Sequence, residues 1–233
     1  MYIVKGIIIQ GVGKFMIVVS SDEIIAMNDL LDGAPIEGLA IQTSEELEEA
    51  RLKKVNKSLT EKEFLIDGKL SDKFMATAEL LKRYKESEHK IFINNLRIAL
   101  VDESRTIVLE LLPNGDITFS YTPRLVVVKK YIEAAEFLRG EQEVSFSDDE
   151  KEPYTDEAYE EDLNRKEWSN VMVVQTYVKQ RMTLFQTYYF DDKEAYCFDH
   201  LEKTKWQRGP NDFTTDLINL FEIIEEGEVD GQT

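Results

Sequence analysis

The 233-residue chain has a single cysteine, Cys197, two histidines, His89 and His200, and five prolines. One cysteine excludes an intrachain disulfide, so an oxidising compartment offers no gain in stability. Two histidines leave little scope for a zinc site, or for a Ser–His or Cys–His nucleophile pair. Long apolar runs are missing too. In the opening MYIVKGIIIQGVGKFMIVVSS, Lys5, Gln10 and Lys14 with Gly11 and Gly13 break the hydrophobic stretch well short of a membrane span. These absences favour a cytoplasmic protein with no membrane association. Basic clusters are scarce. The densest, Arg51, Lys53, Lys54 and Lys57, follows Glu45, Glu46, Glu48 and Glu49 at helical spacing, which is the pattern of a solvated helix face. Direct nucleic-acid binding, which needs clustered cations, is not expected.

What is abundant is negative charge, and it is local. The net charge is -18, and residues 141–167 hold 12 acids against Lys151, Arg165 and Lys166, a net of -9. Glu222, Glu225, Glu226, Glu228 and Asp230 add -5, so the rest of the chain sums to -4 (-18 + 9 + 5). With 42% apolar and 32% charged residues, that remainder has the composition of an ordinary folded domain.

The pattern predicts an α+β fold of mixed antiparallel hairpins and a meander with packed helices. A hairpin is expected over 2–9 and 15–19, then helices from Ser21 to Gly33, from Thr43 to Lys57, and from a Ser71-Asp72 cap onward. A three-stranded meander is expected over 96–101, 106–112 and 117–121, with Asn114-Gly115 in its second turn. A helix follows from Pro123 to about Leu138. Beyond the acidic segment, strands are expected over 171–178, 182–190 and 195–198, closed by a helix from Thr214 or Thr215 to about Glu226. The organisation is an α+β body over 1–140, an acidic loop or linker over 141–167, and a β-hairpin and helix unit over 168–233. The last unit either stands alone or extends the first sheet.

The acidic segment is the leading candidate site. Asp148, Asp149, Glu150, Asp156, Glu157, Glu160, Glu161 and Asp162 would steer a basic partner protein, while Tyr154, Tyr159, Leu163 and Trp168 supply apolar anchors. The Thr155-Asp156-Glu157 stretch reads as a helix start, with Tyr159 and Leu163 one turn apart on one side. Ser145 and Ser147 beside Asp148-Asp149-Glu150 have the look of acidic-directed phosphorylation sites, a pattern common in acidic loops. Mimicry of DNA is disfavoured because the charge sits in two short stretches. In its acidic, motif-poor character the sequence resembles small viral or mobile-element proteins.

The alternative is a divalent-metal-dependent hydrolase in which Asp191, Asp192, Glu194, Asp199 and His200 hold the ion. Its competing explanation is a hairpin turn at 191–194 with Cys197 packed as a small apolar residue. GVGK at 11–14 fails the phosphate-loop pattern, since Ile8 stands where the first glycine is required and Phe15 follows. No motif requires a cofactor. The reading is therefore an acidic macromolecule-binding protein, an inhibitor or modulator of a protein partner rather than an enzyme.

Overall fold

The computed structural model describes residues 16–39, 48–134, 151–165, 171–190, 195–208 and 210–223. In its strands both alternating sets of side chains are buried. In β6 (Arg105–Leu111), Ile107 and Leu109 join one core, while Val108 joins another. Successive strand side chains point to opposite faces, so burial of both sets demands cover on both faces. The protein is accordingly α+β, with an antiparallel sheet between two layers of helices.

Ten of the described strands form that sheet in the order β1-β7-β6-β5-β4-β9-β10-β11-β12-β8. They are β1 (Met16–Val19), β4 (His89–Ile93), β5 (Leu96–Leu100), β6, β7 (Ile117–Pro123), β8 (Glu152–Pro153), β9 (Val171–Val178), β10 (Arg181–Phe190), β11 (Ala195–Asp199) and β12 (Thr204–Gln207). The short hairpin β2 (Leu65–Ile66) and β3 (Lys69–Leu70) stands apart. The expected meander is β5, β6 and β7. Its Asn114-Gly115 turn differs in detail from the two-residue form: only Gly115 has positive φ, at 87°. Pro113 holds φ negative at the first turn position, so the chain takes a type I turn followed by a glycine bulge. Gly115 N–H donates to Leu112 O at 3.0 Å, and Leu112 N–H to Asp116 O at 2.9 Å.

Strand β4 was absent from the sequence reading, and it joins the two ends of the molecule. It pairs with β5 on one side and with β9 on the other, so residues 171–207 extend the sheet begun by 16–123. Lys90 interrupts its apolar run. The side chain is nevertheless buried, because its ammonium donates to Ser87 O at 2.6 Å and lies 3.1 Å from Glu37 Oε2. Asn94 secures the junction, accepting from Val173 N–H at 2.9 Å through Oδ1.

One face carries α1 (Ser21–Leu31), α2 (Glu48–Glu61) and α3 (Asp72–Glu86) over β1, β7, β6 and β5. Ser20 caps α1 in a capping box with Glu23, and Ser71 caps α3. The α2 helix runs past the expected Lys57 because Leu59 continues its buried stripe. Gly38 (φ 80°) lets the loop after α1 press on the sheet, where an added Cβ would meet the Phe92 ring at 2.6 Å. The opposite face carries α4 (Arg124–Ala134) and α6 (Pro210–Leu220) over a core including Ile98, Val108, Val174, Tyr188, Phe213 and Leu217. Helix α6 starts before the expected Thr214 because Pro210, with its preset φ, occupies the first turn. No helix among the described residues is long and apolar enough to cross a membrane.

Candidate functional site

The described part of the acidic segment is a strand and a helix docked on the sheet. Glu152–Pro153 pair with Thr204 and Lys205 as β8, and Tyr154 N–H donates to Lys203 O at 3.1 Å. Thr155 Oγ1 then accepts from Ala158 N–H at 3.2 Å and opens α5 (Asp156–Arg165). Tyr154 and Leu163 are buried with Val171, Tyr189 and Phe198, and Tyr159 packs partly buried against them. This revises the expected role of Tyr154 and Leu163: their apolar surface is covered by the protein's own sheet, so it is not exposed to a partner. The reason is strand parity, since Val171, Tyr189 and Phe198 present an apolar face that α1, α2 and α3 do not reach.

A polar circuit fastens the helix. Tyr159 OH donates to Thr187 Oγ1 at 3.1 Å, and Thr187 Oγ1 lies 2.8 Å from His200 Nε2. Tyr154 OH lies 3.0 Å from His200 Nδ1 and donates to Asp199 O at 3.3 Å. One proton assignment satisfies all of these contacts. Thr187 accepts from Tyr159 and donates to Nε2; Nδ1–H donates to the Tyr154 oxygen; the Tyr154 hydrogen goes to the Asp199 carbonyl. In this assignment the imidazole is neutral. Burial lowers the His200 pKa below its ordinary 6.5, and nearby Lys203 lowers it further. Edge-on contacts with Tyr159 (4.8 Å between centroids) and Tyr154 (6.2 Å), and a tilted contact with Phe185 (4.3 Å), complete the nest.

The carboxylates divide into two groups. On the flanks, Asp156 pairs with Lys203, and Asp162 with Lys205 at 3.5 Å. Pointing away from the sheet, Glu157, Glu160 and Glu161 are exposed together with Asn164. The spacing i, i+3, i+4, i+7 places these four on one helix face. Glu157 is held below the ordinary carboxylate range by its own backbone N–H and the Thr155 hydroxyl, at the positive end of the helix. Asp148, Asp149, Glu150 and Trp168 lie outside the described residues, as do Ser145 and Ser147.

The carboxylate set of the hydrolase alternative is not brought together among the described residues. Asp191, Asp192 and Glu194 lie outside them, between strands β10 and β11 that pair Phe190 with Ala195. Asp199 Oδ1 accepts from the Leu201 and Glu202 N–H groups at 2.9 and 3.0 Å, and Oδ2 from Gln186 at 3.0 Å. His200 has both ring nitrogens engaged in the circuit above. Cys197 lies in the core on the other face from His200's aromatic neighbours, and burial pushes its thiol pKa up, away from a reactive thiolate. No group of three potential metal ligands exists among the described residues.

A cavity of about 550 Å³ opens on the opposite face of the sheet, beside α6. It is lined by Lys151, Leu184, Gln186, Tyr188, Trp206, Arg208, Asp216, Asn219 and Leu220. One wall is a hydrogen-bonded chain. Tyr188 OH lies 2.8 Å from Gln186 Oε1 and 3.2 Å from Asp216 Oδ2, and Arg208 grips Asp216 through Nε at 3.1 Å and an η nitrogen at 2.6 Å. Sequence reasoning missed this site because its residues come from β10, β12, α6, the residue before β8 and the residue after β12, and neither β8 nor β12 was foreseen. The available signal was the pair Trp206 and Arg208 ahead of an amphipathic helix bearing Asp216.

Comparison with known proteins places these features within a family. None of the curated proteins matches the chain. A family model does match, over residues 18–209, which takes in every strand but the first two residues of β1, and five of the six helices among the described residues. The chain belongs to that family, described as a domain of unknown function, DUF5081.

Proposed function

We propose that this protein binds a partner protein bearing a basic surface through the outward face of α5, and so modulates or inhibits that partner. One observation carries the reading: Glu157, Glu160 and Glu161 are exposed on one side of a helix whose other side is fastened to the sheet by Tyr159 and Leu163. Carboxylates on a docked helix are positioned before the partner arrives, which lowers the ordering cost of association. Their common sign steers a cationic surface toward them and disfavours acidic competitors. Net charge of -18 over the whole chain adds to that steering. A cytoplasmic setting suits the single, buried Cys197 thiol.

The test is affinity capture with the full chain and with a Glu157→Gln/Glu160→Gln/Glu161→Gln variant, at about 0.1 M and about 0.5 M salt. The wild type is expected to retain a basic protein at low salt and to release most of it at high salt. The variant is expected to keep its melting temperature and lose the partner. Capture unchanged by the substitutions would reject the proposal.

A further inference from the structure

The cavity beside α6 is independent of the α5 surface, because the two lie on opposite faces of the sheet. Tyr188, Trp206 and Leu217 belong to the core under α6, whereas Tyr189, Phe198 and Leu163 belong to the cluster under α5. Among the described residues its lining carries Lys151 and Arg208 against the carboxylate of Asp216, a positive balance in a chain of net charge -18. Arg208 and Asp216 satisfy one another as a near-parallel pair. The remaining cation is Lys151, whose ammonium stands 4.6 Å from the Trp206 ring and 3.9 Å from Glu202, at the outer limit of an ion pair. Below it, Trp206, Leu184 and Leu220 supply apolar surface.

An apolar wall, a fixed polar wall and the Lys151 ammonium beside an opening to solvent form a recognisable combination. Pockets of roughly 300–1,000 Å³ with a few convergent polar groups take small organic ligands. A single ammonium matches one carboxylate, whereas a phosphate would call for more donors. The Gln186–Tyr188–Asp216–Arg208 chain is internally hydrogen-bonded, so it orients a ligand without carrying an uncompensated charge. We infer that this cavity binds a small monocarboxylic acid with an apolar or aromatic body, its carboxylate at Lys151 and its body against Trp206, Leu184 and Leu220.

The probes are 4-phenylbutyrate, 4-phenylbutanol and 4-phenylbutylamine, titrated calorimetrically into the full chain. They share one apolar body and differ in charge. The acid is expected to bind saturably, at least about tenfold more tightly than the alcohol, and the amine more weakly still. Lys151→Ala should abolish the preference for acid over alcohol while leaving alcohol binding in place. Asn219→Trp, an exposed rim position on α6, should block all three probes without lowering the melting temperature. Equal affinity for acid and alcohol, a preference that survives Lys151→Ala, or no saturable binding up to about 10 mM would each overturn the inference.

Discussion

Helices are fastened to one face of the sheet at two places, by different means. Over β1, β7, β6 and β5, the α1–α3 layer rests on a broad core that includes Ile24, Phe64, Phe74, Leu81, Ile107 and Phe119. A charged hub supplements it: the fully buried Glu23 accepts from Ser20 N–H at 2.7 Å, Ser58 at 2.7 Å and Lys62 at 2.6 Å. Over β9, β10 and β11, α5 rests on the far smaller cluster around Tyr154, Leu163 and Phe198, with a neutral hub at His200. The first arrangement belongs to the global fold. The second holds the acidic helix with fewer contacts, so that it opens at lower cost than the body.

The largest effect is expected at the charged hub. Glu23→Ala removes the reciprocal half of the α1 capping box, leaves the Ser20 cap in place and strands Lys62 beside the core, and should cost about 3 kcal/mol in urea unfolding without breaking two-state behaviour. At the smaller cluster, Leu163→Ala should cost about 2 kcal/mol if α5 unfolds with the body, and less if it detaches alone. Limited proteolysis within 152–165, read beside the urea midpoint, separates these outcomes: a detaching helix is cut while the midpoint hardly moves.

The neutral hub gives a pH signature. Because the folded His200 pKa lies below 6.5, the unfolded chain binds its proton more readily. The contribution is complete above pH 6.5 and is lost as pH falls from there through the folded value. His200→Gln should remove this segment of the stability–pH profile, measured as melting temperature between about pH 7 and pH 5. The smallest effect on stability is expected from Glu157→Gln/Glu160→Gln/Glu161→Gln, where exposed carboxylates add little to folding even though they carry the proposed function.

The contrast between the two attachments also explains what could be read from the chain. The elements with local signals were legible: the start of α1 at Ser21-Asp22-Glu23 (its cap being the preceding Ser20), the Ser71 cap of α3, the meander across Asn114-Gly115, and the strands β9 and β10. Strand β4 was not, because Lys90 breaks its pattern and is tolerated only where Ser87 and Glu37 receive its ammonium across the fold. Strands β8 and β12 are too short to stand out by periodicity: β12 forms against β11, and β8 in turn against β12. The acidic segment was legible as charge and as a helix beginning at Thr155. Which of its side chains turn inward depends on an apolar sheet face assembled from Val171, Tyr189 and Phe198, and no local pattern announces that. Tyr154 and Leu163 have the composition of interface anchors, and the same property makes them good core residues once a sheet face is available.

Hydrogen exchange of the α5 backbone amides in the native protein tests the account most directly. If the helix is docked through Tyr159 and Leu163, the amides of residues 160–165 should exchange at least about tenfold more slowly than in a free peptide, yet faster than those of β5 and β6. Exchange at the free-peptide rate would mean that the acidic helix is not held on the sheet, and the account of a fixed inner face with a presented outer face would be contradicted.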